Sequence, residues 1–301
     1  MNRVATIPLQ RTMADAIQRA QRNLAVTQTA LSTGKKAQDY ASLGTEAVRT
    51  ISAHSLLSRQ EAQSVVSKHV SVTLSIYDAH ISRVDTVMSD LRTQLVTAIG
   101  TDDADGLQET IRGAFEEFRS NLNAVEGGSA LFAGSRSEVL PFAPETLEDT
   151  LLTTADDAFR NDDVRTAAYL TEGREVSYGI TASDVGKGLY EAFRTLAGAG
   201  AIGVRLTPAQ KESLRDAVAQ IDEGMGALRS VNAANGRRQN QVETLGVRAE
   251  QRSLLLRDII ASNEDADLGQ VAVDLAQQRA TLEASYSVFA QIAGLNLTKF
   301  L

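Results

Sequence analysis

The chain has no cysteine, no tryptophan and only four prolines in 301 residues. Without cysteine it can form no disulfide, no zinc–thiolate site and no thiol nucleophile, so packing alone must hold the fold. Aromatic residues are also scarce, at 5%. So few large rings predict a thin core of small and aliphatic side chains, as in helical bundles and coiled coils. No apolar run is long enough to cross a bilayer. Met1 to Gln10 lacks an apolar stretch followed by a small-residue cleavage site. That argues against a conventional signal peptide and leaves a cytoplasmic protein or export without cleavage. An excess of cations is missing as well: 38 acidic residues face 30 basic ones, for a net charge of -8. Neither nucleic acid nor an anionic membrane is expected as a partner.

What is present is helical periodicity, in a length that suggests two or three modules. The prolines are Pro8, Pro141, Pro144 and Pro208, so two long proline-free arms flank a short middle section. In the first arm Met13, Ile17, Ala20, Leu24 and Leu31 recur at helical spacing. A second stripe, Leu74, Tyr77, Ile81, Val84, Met88, Leu91, Leu95 and Ala98, alternates steps of four and three. It predicts one helix from about Thr45 to Ile99, on the order of 80 Å long. A shorter helix over 106–124 would present Leu107, Ile111, Phe115, Phe118 and Leu122. The returning arm opens with Thr207-Pro208 and Gln210, a capping box with proline in the first helical position. Leu214, Val218, Ile221, Met225 and Leu228 follow, then a polar stretch, then Val242, Leu245, Ala249, Leu256 and Ile259 in the same phase. After a break over 262–267, Leu268, Val271, Leu275, Leu282, Phe289 and Ile292 form a heptad seam interrupted by Gln278 and Ser285.

Between the arms, residues 130–195 hold seven of the 14 aromatics, among many glycines, and Glu175 to Thr181 alternates like a strand. The fold class is therefore mainly α: a long helical hairpin or coiled-coil bundle formed by both arms, with a small mixed α/β domain inserted in the middle. The implied segments are a terminal helix over 1–44, the outgoing arm over 45–129, the outer domain over 130–205, the returning arm over 206–262 and a last helix over 263–301. The terminal helices have little else in the chain to pack on, and one such pair buries too little to be robust alone. Self-assembly is its natural completion. The candidate assembly residues are Met13, Ile17, Leu24, Leu31, Leu268, Val271, Leu275, Leu282, Phe289 and Ile292.

Motifs for chemistry are weak. Gly198-Ala-Gly-Ala-Ile-Gly203 matches the letters of a dinucleotide fingerprint, but helix precedes it where a strand is required, so it reads as a flexible linker. His54, His69 and His80 share one helix, and the last two lie about 16 Å apart, too far for one metal. The acidic run after Thr101 puts Arg112 where a calcium loop needs a bidentate glutamate. No catalytic, cofactor or metal residue is assigned, and no enzyme is expected.

Both arms resemble the flagellin and hook-associated protein family. Leu31-Ser-Thr-Gly-Lys-Lys36 looks like the signature that ends the family's first helix, and Gly236-Arg-Arg-Gln-Asn-Gln-Val-Glu243 is similar to a segment of its returning arm. Leu131-Phe-Ala-Gly-Ser135 with Pro141-Phe142, Tyr178-Gly-Ile-Thr-Ala-Ser183, and Gln277 to Leu301 look like the smaller, junction-forming members. Only Asp39 stands where the family often has two aspartates, a departure that points away from flagellin. The resemblance implies export, unfolded, through the flagellar type III channel and secretion to the hook–filament junction. Its implied partners are further copies of itself, another hook-associated protein, flagellin and an export chaperone. The alternatives are flagellin itself, a cytoplasmic coiled-coil adaptor, and an enzyme with a cofactor at Gly198 to Gly203.

Overall fold

The computed structural model describes residues 3–171 and 174–294, and the chain divides into two compact units, residues 61–250 and residues 1–60 with 251–301. The elements are α1 (Arg3–Thr33), α2 (Ala47–Thr101), α3 (Leu107–Leu122), β1 (Val125–Glu126), β2 (Ser129–Ala130), α4 (Ala155–Ala158), β3 (Ala167–Thr171), β4 (Arg174–Ser177), α5 (Ala182–Gly198), α6 (Pro208–Glu264) and α7 (Leu268–Gly294). The architecture is mainly α with a small β-containing insertion in the middle, as the periodicity required.

In the central unit, 61–250, every member of the Leu74-to-Ala98 stripe is buried, with Leu74, Met88 and Leu95 at 0% exposure. Leu214, Ile221, Met225, Leu228 and Val242 of α6 are buried too. Three bonds set α6 antiparallel to α2: Arg229 to Asp85 at 2.8 Å, Arg92 Nη2 to Asp222 at 3.0 Å, and Asn235 Nδ2 to the Leu74 carbonyl at 2.9 Å. The polar stretch after Leu228 does not interrupt α6, because its amides turn inward onto α2. The predicted capping box is formed: the Gln210 amide donates to Thr207 Oγ1 at 3.2 Å, and the Thr207 amide donates to Gln210 Oε1 at 3.0 Å.

Helices α3 and α5 lay a second layer on this pair. Phe115 and Phe118 of α3 meet Phe193 of α5 and Phe142, with ring centroids 5.0–6.1 Å apart, and Phe159 and Tyr190 close the cluster. Of the seven mid-chain aromatics, Tyr169 is the exception, two-thirds exposed on β3. At Gly188 and Gly224 the backbones of α5 and α6 nearly touch: a Cβ on Gly224 would lie 2.5 Å from the Gly188 carbonyl oxygen. The Leu131-to-Ser135 motif is a turn on Asp162, which accepts from the Ser135 amide at 2.8 Å. Gly134 there has φ +69° and room for no Cβ.

The strand read over 175–181 is shorter than expected. Strand β4 ends at Ser177, because Thr181 is committed to capping α5 in a capping box with Asp184. Its partner β3 carried no strand signal of its own.

Candidate assembly site

The other unit joins both chain ends. Helix α1 starts at Arg3, so Pro8 lies inside it and not ahead of it. As the sixth helical residue it lies past the first turn and removes the one bond its N–H would have made to the Val4 carbonyl. Helices α1 and α7 pack on each other, antiparallel, with Gln21 of one bonded to the Tyr286 hydroxyl of the other.

Their seam is only partly covered. Of the nine candidate residues whose side chains are described, Ile17 alone is buried. Met13, Leu24, Val271, Leu275, Leu282 and Phe289 are half-buried, and Leu31 and Leu268 are exposed. The side chain of Ile292 lies outside the described residues, as does the Leu-Thr-Lys-Phe-Leu end of the chain. The structure thus brings the two predicted stripes together and leaves much of their apolar surface open. Gln278, the polar interruption of the seam, has its Oε1 sealed from water with no partner, beside a gap lined by Ala20, Asn23 and Asp274.

Where α1 ends, the Leu31-to-Lys36 signature builds a polar clasp. Gly34 takes φ +69°, which stops the helix and turns the chain toward the end of α6. The Lys36 amide donates to the Glu264 carbonyl at 2.7 Å, and the Ala266 amide donates to the Gly34 carbonyl at 2.8 Å, so Lys35 and Asp265 pair as a short antiparallel bridge. Lys35 Nζ reaches Asp265 at 2.6 Å and Glu264 at 3.2 Å, and Lys36 Nζ donates to the Ser262 carbonyl at 2.5 Å. From α2, His54 Nε2 meets Glu264 Oε1 at 2.7 Å, and the fully buried Thr50 hydroxyl accepts from Asn263 at 3.2 Å. The His54 hydrogen bond holds the Glu264 carboxyl below its usual 4.5, against some desolvation and with help from Lys35. The Asp265 bond lifts the Lys35 ammonium above its usual 10.5.

The clasp was not foreseen. Nothing in the neighbours of His54 along the chain points to Glu264, which lies 210 residues away. A usable signal existed in a basic pair just after one helix end and an acidic pair just before another.

The sequence lures resolve simply. Gly198 to Gly203 is a loop following a helix, and Gln210 pins it by donating to the carbonyls of Ala199 and Ala201 at 3.2 and 3.0 Å. His80 bonds Asn121 at 3.0 Å, and Asp102 pairs with Lys211 at 2.8 Å. Among the described residues no group of three metal-type ligands occurs, and no helix is long and apolar enough to cross a membrane.

Helices from both halves of the chain thus meet in one incompletely covered pair, beside a mainly α unit with a β-containing insertion. No family model matches the chain. Flagellar hook-associated protein 3 of Salmonella typhimurium is 24% identical over 246 residues, 74% of this chain and 76% of that protein. The protein of the same name in Escherichia coli is 24% identical over 242 residues, with the same coverage. Three solved structures share the fold. One titled as a putative flagellar hook-associated protein from Vibrio parahaemolyticus has a TM-score of 0.59 at 14% identity, covering 73% of this chain and 97% of its own. Bacillus cereus FlgL gives 0.55 at 13% identity, over 70% and 98%, and Xanthomonas campestris FlgL gives 0.56 at 11% identity, over 70% and 99%. The chain is similar in sequence to hook-associated proteins and has their fold, which is the resemblance its motifs carried.

Proposed function

We propose that the chain is a structural subunit of the bacterial flagellum, placed at the junction of hook and filament, with no catalytic role. The observation that carries this is the α1–α7 pair, whose apolar seam a single chain leaves half open, in a protein similar to named hook-associated proteins over three quarters of its length. The ten seam residues are the assembly surface, and its occupants are further copies of the chain, another hook-associated protein and flagellin. The subunit leaves the cell unfolded by the flagellar export route, held beforehand by an export chaperone. The junction is favoured over the filament because both curated relatives carry the hook-associated name.

Leu282→Glu tests this reading. In the free subunit the new carboxylate reaches water at a half-buried position and costs little. In the assembly it is buried without a partner, at a cost of several kcal/mol per contact. The expected result is near-normal unfolding of the purified protein, with flagellin shed into the medium and bare hooks in cells lacking their own copy. Normal swimming would refute the assembly surface. Immunogold label along whole filaments, and not at one point, would favour flagellin.

A further inference from the structure

The clasp around Glu264 is the best-connected feature of its unit, yet it is made almost wholly of polar groups. Lys35, Asp265 and His54 are 44%, 50% and 40% exposed, and Glu264 is 18% exposed. Among the described residues of this unit the buried apolar side chains are Ile17, Ala53 and Ile260. Among the described residues, therefore, no broad buried apolar contact fixes the α1–α7 pair to the adjoining ends of α2 and α6. The covalent connections are also permissive. Residues 34–40 contain no helix, Gly34 and Gly44 both have positive φ, and only three residues, 265–267, separate α6 from α7.

We propose that the clasp is a release latch. It holds the α1–α7 pair against the adjoining ends of α2 and α6 in the free subunit, and it opens when the pair docks on neighbouring subunits. The second half rests on the assembly surface proposed above. The two sets of interactions differ in kind. Half-exposed ion pairs are screened by salt and weak. Burial of the half-open seam scales with apolar area and is not screened. Docking therefore outweighs the clasp, while the clasp suffices when nothing competes. His54 is what makes it more than a simple chain bridge: Glu264 meets both His54 of α2 and Lys35 beyond α1, so losing one carboxylate removes two of the clasp's side-chain contacts at once.

The absence of cysteine makes the test clean. Spin labels at Leu56→Cys on α2 and Val288→Cys on α7 report the spread of their separation in the purified monomer. A single narrow distribution is expected, at least doubling in width in Glu264→Gln and in Lys35→Ala. An unchanged width in both variants, or a distribution already broad without them, overturns the latch. This arm does not involve assembly, so it stands apart from the junction reading. In the second arm Lys35→Cys with Asp265→Cys locks the bridge, since residues facing across an antiparallel bridge lie within disulfide reach. The purified subunit, reduced or oxidised beforehand, is added to cells lacking their own copy. Filament growth with the reduced form and at least a tenfold loss with the oxidised form carries the proposal. Equal growth with both overturns release and leaves the junction reading in place.

Discussion

The two units use the same seven-residue apolar rhythm to opposite ends. In the central unit the α2 stripe is sealed: Leu91 is 1% exposed, with Phe115, Phe118 and Phe193 in the same core. In the terminal unit Leu275 sits on a stripe of the same spacing, interrupted by Gln278 and Ser285, and is only half-buried although α1 and α7 pack on each other. Periodicity shows that a helix has an apolar face; whether the same chain covers that face depends on a second layer. The central unit buys its independence with the aromatic insertion, whereas the terminal unit leaves an apolar face uncovered.

The largest expected effect lies in the ring cluster. Phe118→Ala empties the space between Phe142 and Phe193 and should cost the central unit about 3–5 kcal/mol, read by urea unfolding. A matched pair puts the contrast directly: Leu91→Ala should cost about 2–5 kcal/mol and Leu275→Ala only about 1 kcal/mol. Amide exchange should be correspondingly faster in α7 than in residues 70–98 of α2. Equal costs at the two leucines would erase the distinction between the units. A methyl group at Gly224, where α5 and α6 touch, should cost the central unit about 1–3 kcal/mol by forcing the helices apart.

The smallest effect is electrostatic and confined to the clasp. The folded Glu264 carboxyl is depressed, so its contribution is complete above its ordinary 4.5 and lost as pH falls through the lower folded value. Folded Lys35 is raised, so its contribution is complete below its ordinary 10.5 and lost as pH climbs through the higher folded value. The spin-label separation between α2 and α7 should stay narrow between about pH 5 and pH 10 and widen on the acid side first. Urea stability of the central unit should show no matching step at the Glu264 transition.

The helices were legible because burial repeats with the turn of the backbone: the stripes from Leu74 and Leu107, and the Thr207–Gln210 cap, announced themselves locally. Strand β3 did not, since Ala167-Ala-Tyr-Leu-Thr171 is short and becomes a strand only through pairing with β4. The clasp was illegible for another reason. It joins Lys35 to Asp265 across 230 positions through polar groups, which carry no periodic signature. Of the proposed assembly surface, the stripes could be read from sequence; the degree to which one chain covers them could not.

The antiparallel pairing of α2 with α6 has a kinetic consequence. Ser82 meets Asn232, 150 residues further on. Synthesis delivers the chain from its N-terminus, so the apolar stripe from Leu74 to Ala98 must wait for residues beyond 214, and until then it is an amphipathic surface open to any other chain. Contacts so distant in sequence form slowly, and exposed stripes of this kind aggregate. A newly made copy therefore spends its most vulnerable interval before its own second half arrives, and a protein that binds it during that interval protects it from aggregation without having to fold it.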